Sequence, residues 1–290
     1  MPLDGLSMIG ETINDSVPST HELFEANNLE EIVALAKWQD EKGAAYIDVN
    51  IGLRTPALMA ECVRRIQQAT SKPLSIDSPD VAIVEAGLEA YDPALAGNRK
   101  PILNSISLSR IEMFDLYKKQ PFIPILLATE GVDANGEAKM NKTVEETVRT
   151  AKDFLKIASE RISGFSNSQC IIDPGIAPIG SDMDGNFKRL MASMQRIHED
   201  SEMQGVHMSL GLSNFTVMLP SKCADGSPVK GPLESAFLTL AMPLGLDMVI
   251  GSVKRKYQIL DESHPALQCL MDALKLDGFD VITRIMQFYS

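Results

Sequence analysis

AAYIDVN, residues 44–50, is the stretch on which the fold turns. It is short and apolar, reads as a strand, and ends on a carboxylate and an amide. Before it, Leu29 to Lys42 has helical spacing through Ile32, Leu35, Ala36 and Trp38 and stops at Gly43. After it, the segment from Pro56 to Ala69 reads as a helix. The same unit recurs along the chain. Strands are predicted at LSMIG (6–10), at 44–50, at PLSID (73–77), at PILNS (101–105), at FIPILLAT (122–129), at SQCIID (168–173), at VHMSLGLS (206–213) and at DMVIG (247–251). Further helices are predicted at 81–91, 110–119, 144–162, 185–203, 233–244 and about 265–276, the one at 144 opening on a TVEE capping box. A short tail follows.

Strict alternation implies a parallel sheet. Eight such units in 290 residues predict a single-domain α/β fold of the (β/α)8 TIM-barrel type over residues 1–290, with 265–290 as C-terminal helix and tail. The rival is an open doubly wound sheet. That fold commonly carries a GxGxxG turn after its first strand, and none is found here. The longest stretches without helical pattern are 92–100, 130–141 and 216–231. The last follows the seventh strand and is a candidate lid or partner-binding loop.

A 44% hydrophobic content suffices for a full core. A net charge of -12 disfavours nucleic acid or an anionic membrane surface as the main partner and fits a soluble cytoplasmic protein. The N-terminus has neither a basic nor a long apolar leader region, and no segment has the roughly 20 apolar residues of a membrane span. Cys62, Cys170, Cys223 and Cys269 lie far apart with no CxxC, so no zinc site or disulfide framework is expected and no metal site is assigned.

The predicted strands lead to Glu11 and Asn14, Asp48 and Asn50, Asp77, Asn104, Asp173, and Ser213 and Asn214. In a barrel all these ends open on one mouth, where barrel active sites sit. Any one of them alone reads as a helix N-cap or turn residue. Together they form a ring of acceptors and amides with few cations, which is a poor phosphate site. Asp77 and Asp173 suit pairs of parallel N–H donors, and Asn104 and Asn214 both donate and accept. That combination suits a flat heterocycle with a 2-amino-pyrimidinone edge, as in a pterin. A glycosidase-like carboxylate pair is the alternative. It would call for aromatic platforms, but aromatic residues make up only 6% of the chain, with one Trp.

IGETIN (9–14), DVN (48–50), SIDS (75–78), LNS (103–105), IIDP (171–174) and GLSN (211–214) follow one another in an order that resembles the pterin-binding methyltransferases. The nearest likeness is to methyltetrahydrofolate:corrinoid/iron-sulfur protein methyltransferases and to the folate module of cobalamin-dependent methionine synthase. Each motif alone is weak; the ordered set, over roughly residues 6 to 252, is specific. Dihydropteroate synthases share the barrel and are the rival. They are expected to show Ser-Arg-Lys after the seventh strand and Arg-x-His near the eighth. This chain has Leu-Ser-Asn and Gly251-Ser252-Val253 instead.

The resemblance implies methyl transfer between N5 of tetrahydrofolate or methyltetrahydrofolate and a corrinoid. Asp77, Asn104 and Asp173 would hold the pterin edge. Asn14, Asp48 and Asn50 would line or support the pocket. Ser213 and Asn214 would also bind the pterin, Asn214 near N5, and Asn214 and Asp173 would serve catalysis. Glu130 and Ser252 are read as structural. The Asp-x-His-x-x-Gly pattern of a corrinoid module is absent, and Asp261-Glu262-Ser263-His264 has the wrong spacing. The four histidines are scattered and read as structural or exposed. The cobalamin is therefore expected on a separate corrinoid protein, met by the 216–231 loop with Lys222 and Lys230. A homodimer is carried over as an expectation. The sequence leaves the direction of transfer open, and with it a pterin-binding protein without catalysis.

Overall fold

The computed structural model describes residues 3–133 and 135–290. Its main sheet has eight parallel strands, β1 (Ser7–Asn14), β2 (Tyr46–Asn50), β3 (Leu74–Asp77), β4 (Ile102–Ile106), β5 (Ile123–Leu127), β8 (Ile171–Asp173), β9 (His207–Met208) and β10 (Met248–Gly251). They run in the order β10-β1-β2-β3-β4-β5-β8-β9. The seam between β9 and β10 closes through a single bridge between Gly211 and Ile250. β6 (Glu130–Val132) and β7 (Ala138–Met140) form a separate antiparallel hairpin. The helices are α1 (Pro18–Glu25), α2 (Leu29–Glu41), α3 (Pro56–Gln67), α4 (Val81–Ala90), α5 (Val144–Arg161), α6 (Asn186–Glu199), α7 (Leu212–Phe215), α8 (Lys230–Ala241), α9 (Pro265–Ala273) and α10 (Phe279–Tyr289). The fold is a (β/α)8 barrel. Among the described residues no helix is long and apolar enough to cross a membrane.

Strand alternation sorts the core into two layers. Ile9, Ile102, Ile125, Ile171 and Met248 pack inside the barrel, with Tyr46, Ile123 and Ile250 against them. The alternate positions, such as Ile47, Ile76, Leu103, Leu126 and Val249, pack outward under the helices. The apolar plug fills the lower barrel. The next inward positions toward the carboxyl end are Glu11, Asp48, Asn50, Asp77, Asn104 and Asp173.

The capping box at the start of α5 forms as its sequence predicts: Glu146 N–H donates to Thr143 Oγ1, and the Glu146 carboxylate accepts from Thr143 N–H. Other segments differ from the sequence reading. Residues 108–118 are a run of 3-10 turns broken at Arg110 (φ -134°, ψ 36°), not an α-helix at 110–119. Its buried side chains include Met113 and Leu116, three apart, which matches a three-residue turn. Arg110 itself is held by Ser107 Oγ and the Pro79 carbonyl. The seventh strand pairs only over His207–Met208, because the chain turns into α7 where the Asn214 N–H bonds the Gly211 carbonyl. The 130–141 loop contains the β6–β7 hairpin, and α10 occupies what reads as a tail.

Candidate functional site

The ladder register brings the polar strand ends together. Asn14 lies opposite Asn50, Asp48 opposite Ser75, and Asp77 opposite Asn104. Asp48 is fully buried and accepts from Ser75 Oγ at 2.6 Å and from Asn104 Nδ2 at 3.3 Å. Asn50 Nδ2 donates to Asp77 Oδ2 at 2.8 Å, while its Oδ1 caps Gly52 N–H. Two carboxylates this close in a buried site cannot both ionise. Burial first, and then the charge of Asp77, push the Asp48 carboxyl well above the usual range. Burial also raises Asp77, but the bonds from Asn50 and Asp48 and the charge of Arg110 pull it back. Of the two, Asp48 is thus the more strongly raised, and Asp77, with Asn50 as its prop, is the more acidic member.

Asp173 closes the opposite side, at the end of β8 beside Leu127 of β5. Its Oδ1 accepts from Gly175 N–H at 2.7 Å. Gly175 is required by that turn. Its φ is +79°, and a Cβ there would lie 1.6 Å from Thr129 Cγ2. Burial lifts the Asp173 carboxyl to about 6, against the pull of the Gly175 N–H and of Arg189. Arg189 reaches under this turn and donates to the Pro174 carbonyl and Thr147 Oγ1.

The strand β9 ends on a neutral amide because the chain there becomes a helical turn. Asn214 folds back over Gly211: a Cβ on Gly211 would lie 2.8 Å from Asn214 Nδ2. The backbone of Gly211 is ordinary, with φ -78° and ψ 87°, so the glycine supplies space and not conformation. Ser213 Oγ donates to Glu11 Oε2 at 2.9 Å, and burial raises the Glu11 carboxyl. Asn14 makes a local turn, accepting from Ser16 N–H on Oδ1.

Some functional candidates were not singled out from sequence. Ser75 lies two residues before Asp77 in the quoted SIDS motif, and period-two alternation alone marks it as facing the site with Asp77. Ser209, two residues before Gly211, is fully buried with no hydrogen-bond partner for its hydroxyl among the described residues. Glu234 and Arg255 carry no motif signal. Of the residues read as structural, Glu130 accepts from Ser109 Oγ, and Ser252 Oγ accepts from Lys254 N–H. Lys230 donates to the Val217 carbonyl. A cavity of about 570 Å³ lined by Leu6, Met8, Trp38, Val253 and Tyr257 is a separate feature, since it holds none of the strand-end carboxylates.

The sequence model of the family described as pterin binding enzyme matches residues 11–251. The chain belongs to that family. The pterin-binding enzymes it resembles include a methylcorrinoid:tetrahydrofolate methyltransferase from Eubacterium limosum, 26% identical over 84% of this chain and 83% of the relative. A methionine synthase from Mycobacterium leprae is 24% identical over 98% of this chain, which spans only 23% of that much longer protein. Among solved structures, dihydropteroate synthases share the fold. That of Xanthomonas albilineans with 7,8-dihydropteroate has a TM-score of 0.56 at 18% identity, covering 95% of this chain and 92% of the other. The enzyme from Yersinia pestis has a TM-score of 0.56 at 13% identity, covering 93% and 92%. Two of the cations after β10 are engaged within this chain: Arg255 pairs with Glu234, and Lys254 sits 5.5 Å from the Trp38 ring centroid.

Proposed function

We propose that this pterin-binding enzyme is a methyltransferase that moves a methyl group between a corrinoid on a separate protein and N5 of tetrahydrofolate. We further propose that it runs from the methylcorrinoid toward tetrahydrofolate. One observation carries the reading. The carboxyl of Asp77 propped by Asn50, the amide of Asn104 and the carboxyl of Asp173 end neighbouring strands of one barrel, beside an amide, Asn214, folded over a glycine. The direction is supported by the Eubacterium limosum relative, which matches over most of both chains.

In this reading Asp77 accepts two parallel bonds from the 2-amino-pyrimidinone edge, Asn104 bonds the adjacent ring atoms, and Asp173 accepts from the far side. The N5 lone pair forms the new bond to carbon while the bonding pair of the methyl stays with the corrinoid, and the N5 proton is released. Asn214 stabilises the charge that changes at N5 without titrating. Asp173, with its carboxyl near 6, exchanges that proton with solvent. The 216–231 loop, through Lys222, is assigned to the corrinoid protein.

The test follows visible absorption of a mixture of methylcobalamin, tetrahydrofolate and the enzyme, in both directions. Conversion to the cob(I)alamin spectrum is expected. Asn214→Ala should slow it by roughly a hundredfold, with a much smaller loss of folate affinity. Absence of pterin binding would overturn the proposal. Folate binding without transfer from free or protein-borne corrinoid would favour a pterin-binding protein without catalysis.

A further inference from the structure

The turn that carries Asn214 is held at both ends by carboxylates, one half-buried and one fully buried. At its start Ser213 Oγ donates to Glu11 of β1 at 2.9 Å. At its end Thr216 Oγ1 donates to Glu234 of α8 at 2.5 Å. Glu234 and Thr216 are fully buried. Glu234 also accepts from Tyr257 Oη at 3.1 Å and pairs with the Arg255 guanidinium. Arg255 lies near enough to Glu11 to oppose the rise that burial gives its carboxyl. Burying a charge costs several kcal/mol before pairing. Thr216, Tyr257 and Arg255 take up the Glu234 carboxylate. What it does is join the loop after β9 to the loop after β10 across the seam where the barrel has a single bridge.

We propose that Glu11 and Glu234 are positioning residues that set the Asn214 amide, acting through Ser213 and Thr216. The inference rests on the role assigned to Asn214 above. Geometry gives it a strong lever. Asn214 sits between the two bonded residues on a turn of only four residues, so loss of either bond lets the amide swing. A displacement of about 1 Å is enough to cost up to a hundredfold in rate.

Thr216→Val keeps the shape and removes the hydroxyl, and Ser213→Ala does the same at the other end. Each is made in the intact chain and in the Asn214→Ala background. Methyl transfer at saturating folate and folate Kd by direct titration are measured separately. In the Asn214 protein each single variant is expected to lower the transfer rate roughly tenfold or more, with folate Kd changed less than about threefold. In the Asn214→Ala background the same changes are expected to cost nothing further, because residues acting through one group are not additive. Glu234→Gln, which retains an acceptor for Thr216 and Tyr257, should recover more rate than Glu234→Ala. A loss that persists undiminished in the Asn214→Ala background, or no loss in either variant, overturns the clamp. An Asn214→Ala enzyme with undiminished transfer instead overturns the role of Asn214 itself.

Discussion

Gly211 is the residue at which sequence, geometry and chemistry meet most closely. Its negative φ admits alanine, yet the added methyl would meet Asn214 Nδ2, the free end of a side chain. Gly211→Ala is therefore expected to fold with a melting temperature within about 1–2 °C of the parent while methyl transfer falls at least tenfold, since the amide and not the backbone gives way. Thermal melting and a rate measured on one preparation decide it. A large loss of stability would show that the glycine serves the backbone instead. Asp173 yields a second expectation. Recognition of a pterin edge needs the ionised carboxylate, and burial has raised this group from an ordinary carboxylate value to about 6. Folate affinity should then be full above that pH and fall about tenfold per unit below it, while Asp173→Asn should bind weakly without that slope. The sign for stability is opposite. A carboxyl whose folded value is raised favours the folded apo-protein below its unfolded value near 4, and that benefit is lost as the pH rises through about 6. The placement of Asp77, Asn104 and Asp173 at strand ends was legible because strand ends in a barrel must share a mouth. Glu234 was not, because nothing in a helix beginning Lys-Gly-Pro-Leu-Glu distinguishes a buried carboxylate from a solvated one.

At the scale of elements, the strand–helix alternation was readable and the deviations from it were local. Alternation predicts eight parallel strands because each apolar run must be covered by the helix beside it. It misses α1, whose eight residues enter through Pro18 and bury only Thr20 and Phe24, too little for a clear period. It overextends β9, because a chain that turns at Gly211 keeps the strand-like composition of its approach. That short strand leaves the seam with few ladder bonds, and Asp247 compensates. Its Oδ1 accepts from Met208 N–H at 3.1 Å and its Oδ2 bonds His207 Nδ1 at 2.6 Å, while its carbonyl accepts from Ser7 N–H. The Asp247 bond raises the His207 imidazole above its usual value, with burial opposing. A raised histidine stabilises the folded state fully below its unfolded value near 6.5 and ceases to do so as the pH rises through the folded value. Both side chains are more than a third exposed, so solvent screening holds the effect below about 1 kcal/mol. Melting of the parent should thus drop by at most about 2–4 °C across neutral pH through this pair, and His207→Gln should remove that component. An unaltered pH profile in the variant would assign the dependence to other groups.

For the whole molecule, the segment past Leu276 is the part whose role only the structure reveals. α10 buries Val281 and Ile285 and reaches both loops that carry the site. It packs on Ile179–Ser181, which follows Asp173, and Lys188 binds Asp277 at 2.5 Å. The Tyr289 carbonyl accepts from Ala224 N–H at 3.0 Å, in the loop after Asn214. Arg284 ties the helix to Asp272 of α9. α10 is thus a strut under the mouth, although it lies outside the 11–251 span that defines the family. Removing residues 277–290 should cost on the order of 3–6 kcal/mol for the two aliphatic side chains alone. Far below the melting temperature of that truncated chain, a strut predicts something more specific than general weakening. Trypsin should cut at Lys222, beside the released Cys223–Ala224 segment, many times faster than in the full chain, and saturating folate should slow that cut only partly. If the helix is merely a lid on α9, cleavage at Lys222 will be unchanged and only the melting temperature will fall. The two outcomes separate a contribution to the site from a contribution to the core, because Ala224 is tied to the end of α10 through the Tyr289 carbonyl.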